Sequence, residues 1–286
     1  MKPIFKRAVI AGVGLIGGSL ALAGKKRGIF ETVVGLGRRE STLLQAKELG
    51  IVDEITIDPI VAAQSADLVF AATPPGSIAS LCEEIAPHLP EGCVITDGGS
   101  VKEKIVARLD EKLPTHVRFI GGHPVAGTER SGPAAAFDTL YDGRYTVLTP
   151  TSKTDDKAIG QVTGMWEGVG ARVVTLSPVE HDAAMAVISH LPHLAAYALV
   201  ETLCEADDEG SIKRFVAGGF KDITRIAASD PGMWREIFAM NKGNLLDSIG
   251  RFEAWMDRFK KAIEKGDFDT VQKLLEKAQT SRKDIP

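Results

Sequence analysis

Short apolar runs punctuate the first part of the chain: RAVIAG, TVVGLG, ADLVFAAT, CVITDGG, VRFIGG, YTVLTP and ARVVTL, the last ending at Leu176. Each is rich in β-branched or apolar residues and bounded by glycine, proline or polar residues, which is the pattern of a buried strand. Between them lie stretches such as SIASLCEEIAPHL, long enough to carry a crossover helix. The alternation predicts a parallel sheet flanked by helices. After Ser177 the texture changes. SPVEHDAAMAVISHLPHLAAYALVETLCEA reads as one helix, with Ser177 as its cap and Pro178 just inside it. Phe252, Trp255, Met256, Phe259 and Ile263 then recur at helical spacing, and Phe268, Val271, Leu274, Leu275 and Ala278 repeat the pattern. An α/β half over 1–176 is therefore expected, followed by an all-helical half over 177–286. Periodicity alone does not separate core positions from a subunit interface in the second half, whose long apolar helices point to a dimer.

Bulk properties narrow the function. With 44% apolar and 25% charged residues, the 286-residue chain has ordinary globular composition. Its 34 basic and 38 acidic residues give a formal charge of -4, which disfavours a nucleic-acid binder that would carry a strongly basic face. Cys82, Cys93 and Cys204 form no C-x-x-C pair, so neither a disulfide framework nor a structural zinc site is expected. MKPIFKR leads into a run broken by glycines, unlike a secretory signal, and no segment reads as a membrane span. A soluble, cytoplasmic protein acting on a small molecule is the expectation.

The first run leads into GVGLIGG, where Gly12, Gly14 and Gly17 supply G-x-G-x-x-G between a strand and a helix. Glycines there allow a tight turn and close approach of a pyrophosphate to the amides that open the helix. Residues 1–176 are thus expected to be a dinucleotide-binding domain with a Rossmann-type doubly wound sheet. Gly12, Gly14, Leu15, Ile16 and Gly17 form the cofactor loop, and Thr73, at the end of ADLVFAAT, and Ser100 join the cofactor set. An NAD-specific site ends its second strand with an acidic residue, but TVVGLGRRE places Gly37 there, followed by Arg38 and Arg39. Two guanidinium groups suit a 2′-phosphate, so NADP is preferred over NAD, which stays as the alternative.

Ligands of such sheets bind at the carboxyl ends of the strands, and TDGGSVK and GGHPVAGTE both lie there. Ser100 and His123 are therefore expected at the nicotinamide end of the cleft. Flanking glycines admit substrate close to the backbone, and Pro124 stiffens the loop. A neutral imidazole so placed suits acceptance of a hydrogen bond from a substrate hydroxyl as hydride leaves the same carbon.

GVGLIGGS, TDGGSVK, GGHPVAGTERSG, ISHLPH and GGFKDITRIAASDPGMW occur in the order found in the prephenate and arogenate dehydrogenase family, and the resemblance spans nearly the whole chain. It implies a tyrosine-biosynthetic enzyme that oxidatively decarboxylates prephenate and/or arogenate with hydride transfer to NAD(P). On that resemblance His123 is the catalytic hydrogen-bond acceptor, and Ser100 orients imidazole, hydroxyl and nicotinamide. Arg225 holds a substrate carboxylate, His193 lines the substrate pocket, Glu129 is a gating or polar-network residue, and Trp234 is an aromatic that approaches the neighbouring subunit's site. Residues 177–286 become a helical substrate and dimerisation domain, and tyrosine a candidate product inhibitor acting at the active site. No fused mutase or regulatory domain is expected after the helical half.

Plainer readings stand beside these. His190 and His193 are three apart and share a helix face, but two ligands without a third fall short of a zinc site. His190 and His181 are instead expected to be hydrogen-bonded core histidines, with Pro192 kinking the helix. By residue pattern alone Arg225 is equally a surface arginine, and Trp255 with Phe259 is core or interface. Competing functions are a β-hydroxyacid-type dehydrogenase relying on Lys242 in FAMNKGN, and a non-catalytic NADP sensor, which would leave GGHPVAGTE and ISHLPH unexplained.

Overall fold

The computed structural model describes residues 2–207 and 210–285. By contact the chain divides into two compact units, one reaching to Asn241 and one beginning at Lys242. The first contains strands β1 (Phe5–Ala11), β2 (Phe30–Leu36), β3 (Glu54–Thr56), β4 (Leu68–Ala71), β5 (Val94–Asp97), β6 (Arg118–Pro124), β7 (Tyr145–Thr149) and β8 (Arg172–Thr175). Its helices are α1 (Leu15–Lys26), α2 (Glu40–Glu48), α3 (Pro59–Ala63), α4 (Pro75–Ile85), α5 (Glu103–Lys112), α6 (Asp156–Gly168), α7 (Pro178–Met185), α8 (Leu191–Ala206), α9 (Gly218–Thr224) and α10 (Pro231–Met240). The second unit is the helix pair α11 (Lys242–Glu264) and α12 (Phe268–Lys283).

The strands form one sheet in the order β3-β2-β1-β4-β5-β6-β7-β8. Order reverses beside β1, so the ends of β1 and β4 flank a crevice of the kind that binds dinucleotides. Neighbouring residues of one strand bury on opposite faces: Ala8 and Ile10 pack with Leu20, Phe30 and Trp166, whereas Val9 and Ala11 pack with Ile78, Ile85 and Leu109. Burial on both faces is why these strands read as continuous apolar runs.

Two features depart from the sequence expectation. The sheet is not wholly parallel, because β7 runs antiparallel to β6, with His123 opposite Val147, and β8 is parallel to β7. No crossover helix links β6 to β7. The connection, residues 125–144, contains only a short 3₁₀ turn at Pro133–Ala135, so the chain re-enters the sheet at the end it left. The three-residue edge strand β3 is too short and polar to show as a run. The connection is pinned over α1 by Phe137 N–H donating to Ser19 Oγ at 3.0 Å and Tyr141 Oη–H donating to the Ile16 carbonyl at 2.6 Å.

The capped helix forms as expected. Ser177 accepts from Glu180 N–H, Glu180 returns to the Ser177 backbone, and Pro178 occupies the first turn. Between α7 and α8 the helix widens into a π turn at Ala186–His190. Pro192 follows one residue after the turn; it has no N–H for the carbonyl one turn back, and the wider turn absorbs the defect. Contrary to the sequence reading, this run, Pro178–Ala206, is long and apolar enough to cross a membrane by length and composition. Its first turns nevertheless bury His181 and Asp182.

In the second unit the apolar positions of α11 recur as the sequence predicts. Phe252, Met256 and Ile263 are exposed in the single chain, and Trp255 lies under Arg258 at 4.4 Å and Lys277 at 5.4 Å.

Candidate active site

At the nucleotide end, β1 runs into Gly12 with φ +95°, in the left-handed region that favours glycine. A Cβ there would lie 2.6 Å from the Ala72 carbonyl oxygen, and one at Gly17 would lie 2.2 Å from that of Gly12. Gly14 caps α1 with no side-chain hydrogen bond, and a Cβ on it would meet nothing within 4 Å. The first-turn amides of Leu15, Ile16 and Gly17 have no carbonyl one turn back within the helix and lie at its positive end, beside the open space at Gly14. Beside them, just after β4, the buried Thr73 hydroxyl has no partner among the described residues. A backbone cradle and an orphaned hydroxyl fit a dinucleotide. Arg38 and Arg39 are exposed after β2, and neither forms an ion pair among the described residues.

At the chemical end, His123 is buried near the carboxyl end of β6. The N–H of Gly122 donates to Asp97 at the end of β5, which sets His123 beside the loop carrying Ser100. The His123 ring is held from behind. Its Nδ1 lies 2.8 Å from His181 Nε2, and His181 Nδ1 lies 2.8 Å from Asp182 Oδ1. The protons in this relay follow from its ends. An ionised Asp182 only accepts, so His181 Nδ1 carries the proton, its Nε2 is bare, and His123 Nδ1 is the donor between the rings. In a neutral His123 the bare nitrogen is then Nε2, the one turned away from the relay.

Both charge states are supported. Burial, followed by the neighbouring His181, Lys102 and His190, holds the His123 pKa well below the ordinary histidine value of 6.5. Burial alone would raise the Asp182 carboxyl, but His181 and the backbone N–H groups of Lys102 and Glu103 outweigh it and keep it below its usual value. Those amides donate at 2.7 and 3.0 Å, so Asp182 also caps the start of α5. Asn241 Nδ2 donates to the Asp182 carbonyl at 2.7 Å and lies 3.1 Å from His190 Nδ1.

His190 and His193 meet around Trp234. The His193 ring stacks on the indole with centroids 3.7 Å apart, and His190 approaches it edge-on at 6.1 Å. Burial pushes both imidazoles down to about 4. Among the described residues Nε2 of His190, Nδ1 of His193 and Trp234 Nε1 are buried with no hydrogen bond of good geometry, although the Ser100 backbone acts on His190 and the Ile226 backbone on His193. Trp234, expected at a neighbouring subunit's site, is buried in its own chain. Arg225 forms an exposed ion pair with Glu129 at 3.1 Å, bringing together two residues far apart in sequence. Arg225 also lines a cavity of about 420 Å³ with Thr128, Phe137, Thr139 and Arg144.

The sequence reading missed the relay. His181 is not simply a core histidine: it is the contact that sets His123, and Asp182 is the contact that sets His181. A local signal existed in EHD just inside the capped helix, but the cap accounts for that stretch without any partner 58 residues away. Asn241 carried no signal.

A doubly wound sheet with an open phosphate cradle and a buried, neutral histidine beside it defines a dinucleotide-dependent oxidoreductase. The family model for the prephenate dehydrogenase nucleotide-binding domain matches residues 20–175, and that for the prephenate dehydrogenase dimerization domain matches residues 177–277. The chain is 38% identical to a prephenate dehydrogenase of Bacillus subtilis, covering 97% of this chain and 76% of that one. It is 35% identical to a cyclohexadienyl dehydrogenase of Zymomonas mobilis, covering 98% and 96%. The crystal structure of Aquifex aeolicus prephenate dehydrogenase with hydroxyphenyl propionate and NAD+ superposes with a TM-score of 0.93 at 37% identity, covering 98% of each chain. The chain belongs to the prephenate dehydrogenase family.

Proposed function

We propose that this enzyme oxidatively decarboxylates prephenate and/or arogenate in tyrosine biosynthesis, with His123 as the acceptor for the ring hydroxyl. The observation that carries the assignment is the histidine relay, which leaves His123 neutral with a bare Nε2. The substrate has a hydroxyl on ring carbon 4 and a carboxylate on carbon 1. His123 Nε2 accepts the hydroxyl hydrogen bond and draws electron density onto that oxygen. A bound nicotinamide would supply the acceptor for the hydride of carbon 4. The carboxylate then leaves as carbon dioxide, its bonding pair entering the ring, which becomes aromatic. Ser100, on the adjoining loop, orients hydroxyl and imidazole, and the imidazole needs no metal to do this work.

Arg225, freed from Glu129, holds a substrate carboxylate, and the stacked His193 and Trp234 line the ring pocket, with Glu129 gating entry. Gly12, Gly14, Leu15, Ile16, Gly17 and Thr73 hold the dinucleotide. The enzyme uses NAD(P), and we infer that NADP+ is preferred because Arg38 and Arg39 stand exposed and unpaired where a 2′-phosphate would lie. The A. aeolicus relative was crystallised with NAD+, which keeps NAD+ in the comparison. Residues 1–176 serve the nucleotide and residues 177–286 the substrate and a homodimer contact through the exposed stripe of α11. Tyrosine, sharing the aromatic product skeleton, competes at the same site, and the enzyme works in the cytoplasm.

The test is a steady-state matrix of prephenate and arogenate, each with NAD+ and NADP+, on one preparation. Turnover of at least one pair supports the assignment, and none overturns it. In the same matrix Arg38→Ala with Arg39→Ala raises KM for NADP+ about tenfold more than KM for NAD+; equal effects remove the 2′-phosphate assignment.

A further inference from the structure

Asp97, the last residue of β5, and Lys102 form an ion pair with both side chains fully buried. The proposed chemistry uses neither residue. Burying two opposite charges is costly unless further hydrogen bonds satisfy them, and replacing such a pair by apolar groups often leaves stability unchanged. What this pair holds is therefore more informative than its strength. Asp97 Oδ2 accepts from Gly99 N–H at 2.9 Å, and Oδ1 accepts from Gly122 N–H at 3.0 Å. Gly99 directly precedes Ser100 and Gly122 directly precedes His123. One carboxylate thus grips the backbone one residue before each member of the pair that must meet the substrate hydroxyl, on two different loops.

The connection closes on itself. The backbone N–H of Lys102 donates to Asp182 Oδ1, Asp182 holds His181, and His181 holds His123. From His123 the chain returns through Gly122 to Asp97, and Lys102 Nζ bonds the same Asp97 Oδ2 that accepts from Gly99. His123 is fixed through its backbone by Asp97 and through its ring by Asp182, and the Ser100 loop lies between the two anchors.

We propose that Asp97 is a positioning residue that sets the separation of Ser100 and His123, with Lys102 holding its carboxylate in the orientation that serves both amides. The proposal rests on the assignment of Ser100 and His123 as the catalytic pair. A hydrogen-bonded carboxylate can accept from three donors at once, whereas an asparagine at the same place offers one acceptor oxygen and releases at least one loop. Misplacement of a reacting group by about 1 Å is enough to lower turnover about 100-fold without disturbing binding elsewhere.

The test compares the full-length enzyme with Asp97→Asn, Lys102→Met and the double variant, at pH 8, where His123 is neutral in all four. The double variant removes both charges and strands neither. Its expected behaviour is a cooperative thermal transition near that of the parent, a kcat lowered about 30-fold, and a Kd for NAD+ within about threefold of the parent. A folded double variant with kcat within about threefold of the parent overturns the proposal, as does a Kd for NAD+ that rises in step with the loss of kcat. Lys102→Met alone loses the ammonium that orients the carboxylate but keeps both acceptor oxygens at 97, so it must lose less turnover than Asp97→Asn, which keeps one; the reverse order overturns the proposal even if the double variant does not fold. His123→Asn runs alongside. If it keeps full turnover, the functional assignment fails; if it loses turnover while the double variant does not, only the role of Asp97 fails.

Discussion

Asp182 is buried behind His181, yet its charge decides which nitrogen of His123 is bare. Asp182 accepts from His181 Nδ1, so His181 must accept from His123 Nδ1, and the lone pair on His123 Nε2 faces the site. An asparagine at 182 can donate its amide to His181 Nδ1 instead, which moves the proton of each ring to the opposite nitrogen. His123 Nε2 would then carry a hydrogen and could no longer accept from the hydroxyl. Asp182→Asn is expected to lower kcat about 100-fold or more while the Kd for NAD+ stays within about threefold, measured by turnover and fluorescence quenching on the same samples. Unchanged kcat would mean that the relay does not set the tautomer. Sequence alone pointed to His123 and Ser100, because glycines, proline and position after a strand are all local signals. It could not point to His181 as their support, because a helix cap and a buried histidine look the same whether or not a ring from another strand meets them.

Among the elements, position was legible and direction was not. Six of the seven runs became strands that bury most of their residues, which is why they are largely apolar, while β8 at the sheet edge is mostly exposed. Nothing in the composition of YTVLTP says which way it runs; the lack of a crossover helix in residues 125–144 decides that, turning β7 antiparallel to β6. The result matters for the site, since the same connection starts next to His123, carries Glu129 and docks on α1 through Ser19 and Ile16. The sequence predicts a kink at Pro192. The structure places the disturbance just before it, as a π turn that contains His190 and lets both histidines of ISHLPH reach Trp234. The glycine turn after β1 was the most legible element, because Gly12 and Gly17 are fixed by contacts that no Cβ survives.

At the level of the whole molecule, buried histidines tie stability to pH. His190 has a pKa of about 4 in the folded chain against 6.5 for an ordinary histidine, with burial as the main cause. Between those values the unfolded chain binds more protons than the folded one, so stability rises with pH there. It is fully present above pH 6.5 and is lost as pH falls toward 4. His190 alone contributes on the order of 3 kcal/mol to that loss, at about 1.4 kcal/mol per pKa unit; His123, shifted in the same direction, adds to it. The melting temperature, followed by scanning calorimetry, is expected to fall steadily from pH 7 to pH 4. A flat or rising profile over that range would show that these imidazoles are not held neutral by the fold.

A single substitution tests the account most directly. His123→Asn keeps a polar side chain of similar reach to Nδ1 and leaves the dinucleotide cradle untouched, but removes the bare ring nitrogen. With prephenate and the preferred dinucleotide, kcat should fall roughly 1,000-fold while the Kd for that dinucleotide changes less than about threefold. Turnover at the parental rate in a folded His123→Asn enzyme would contradict it.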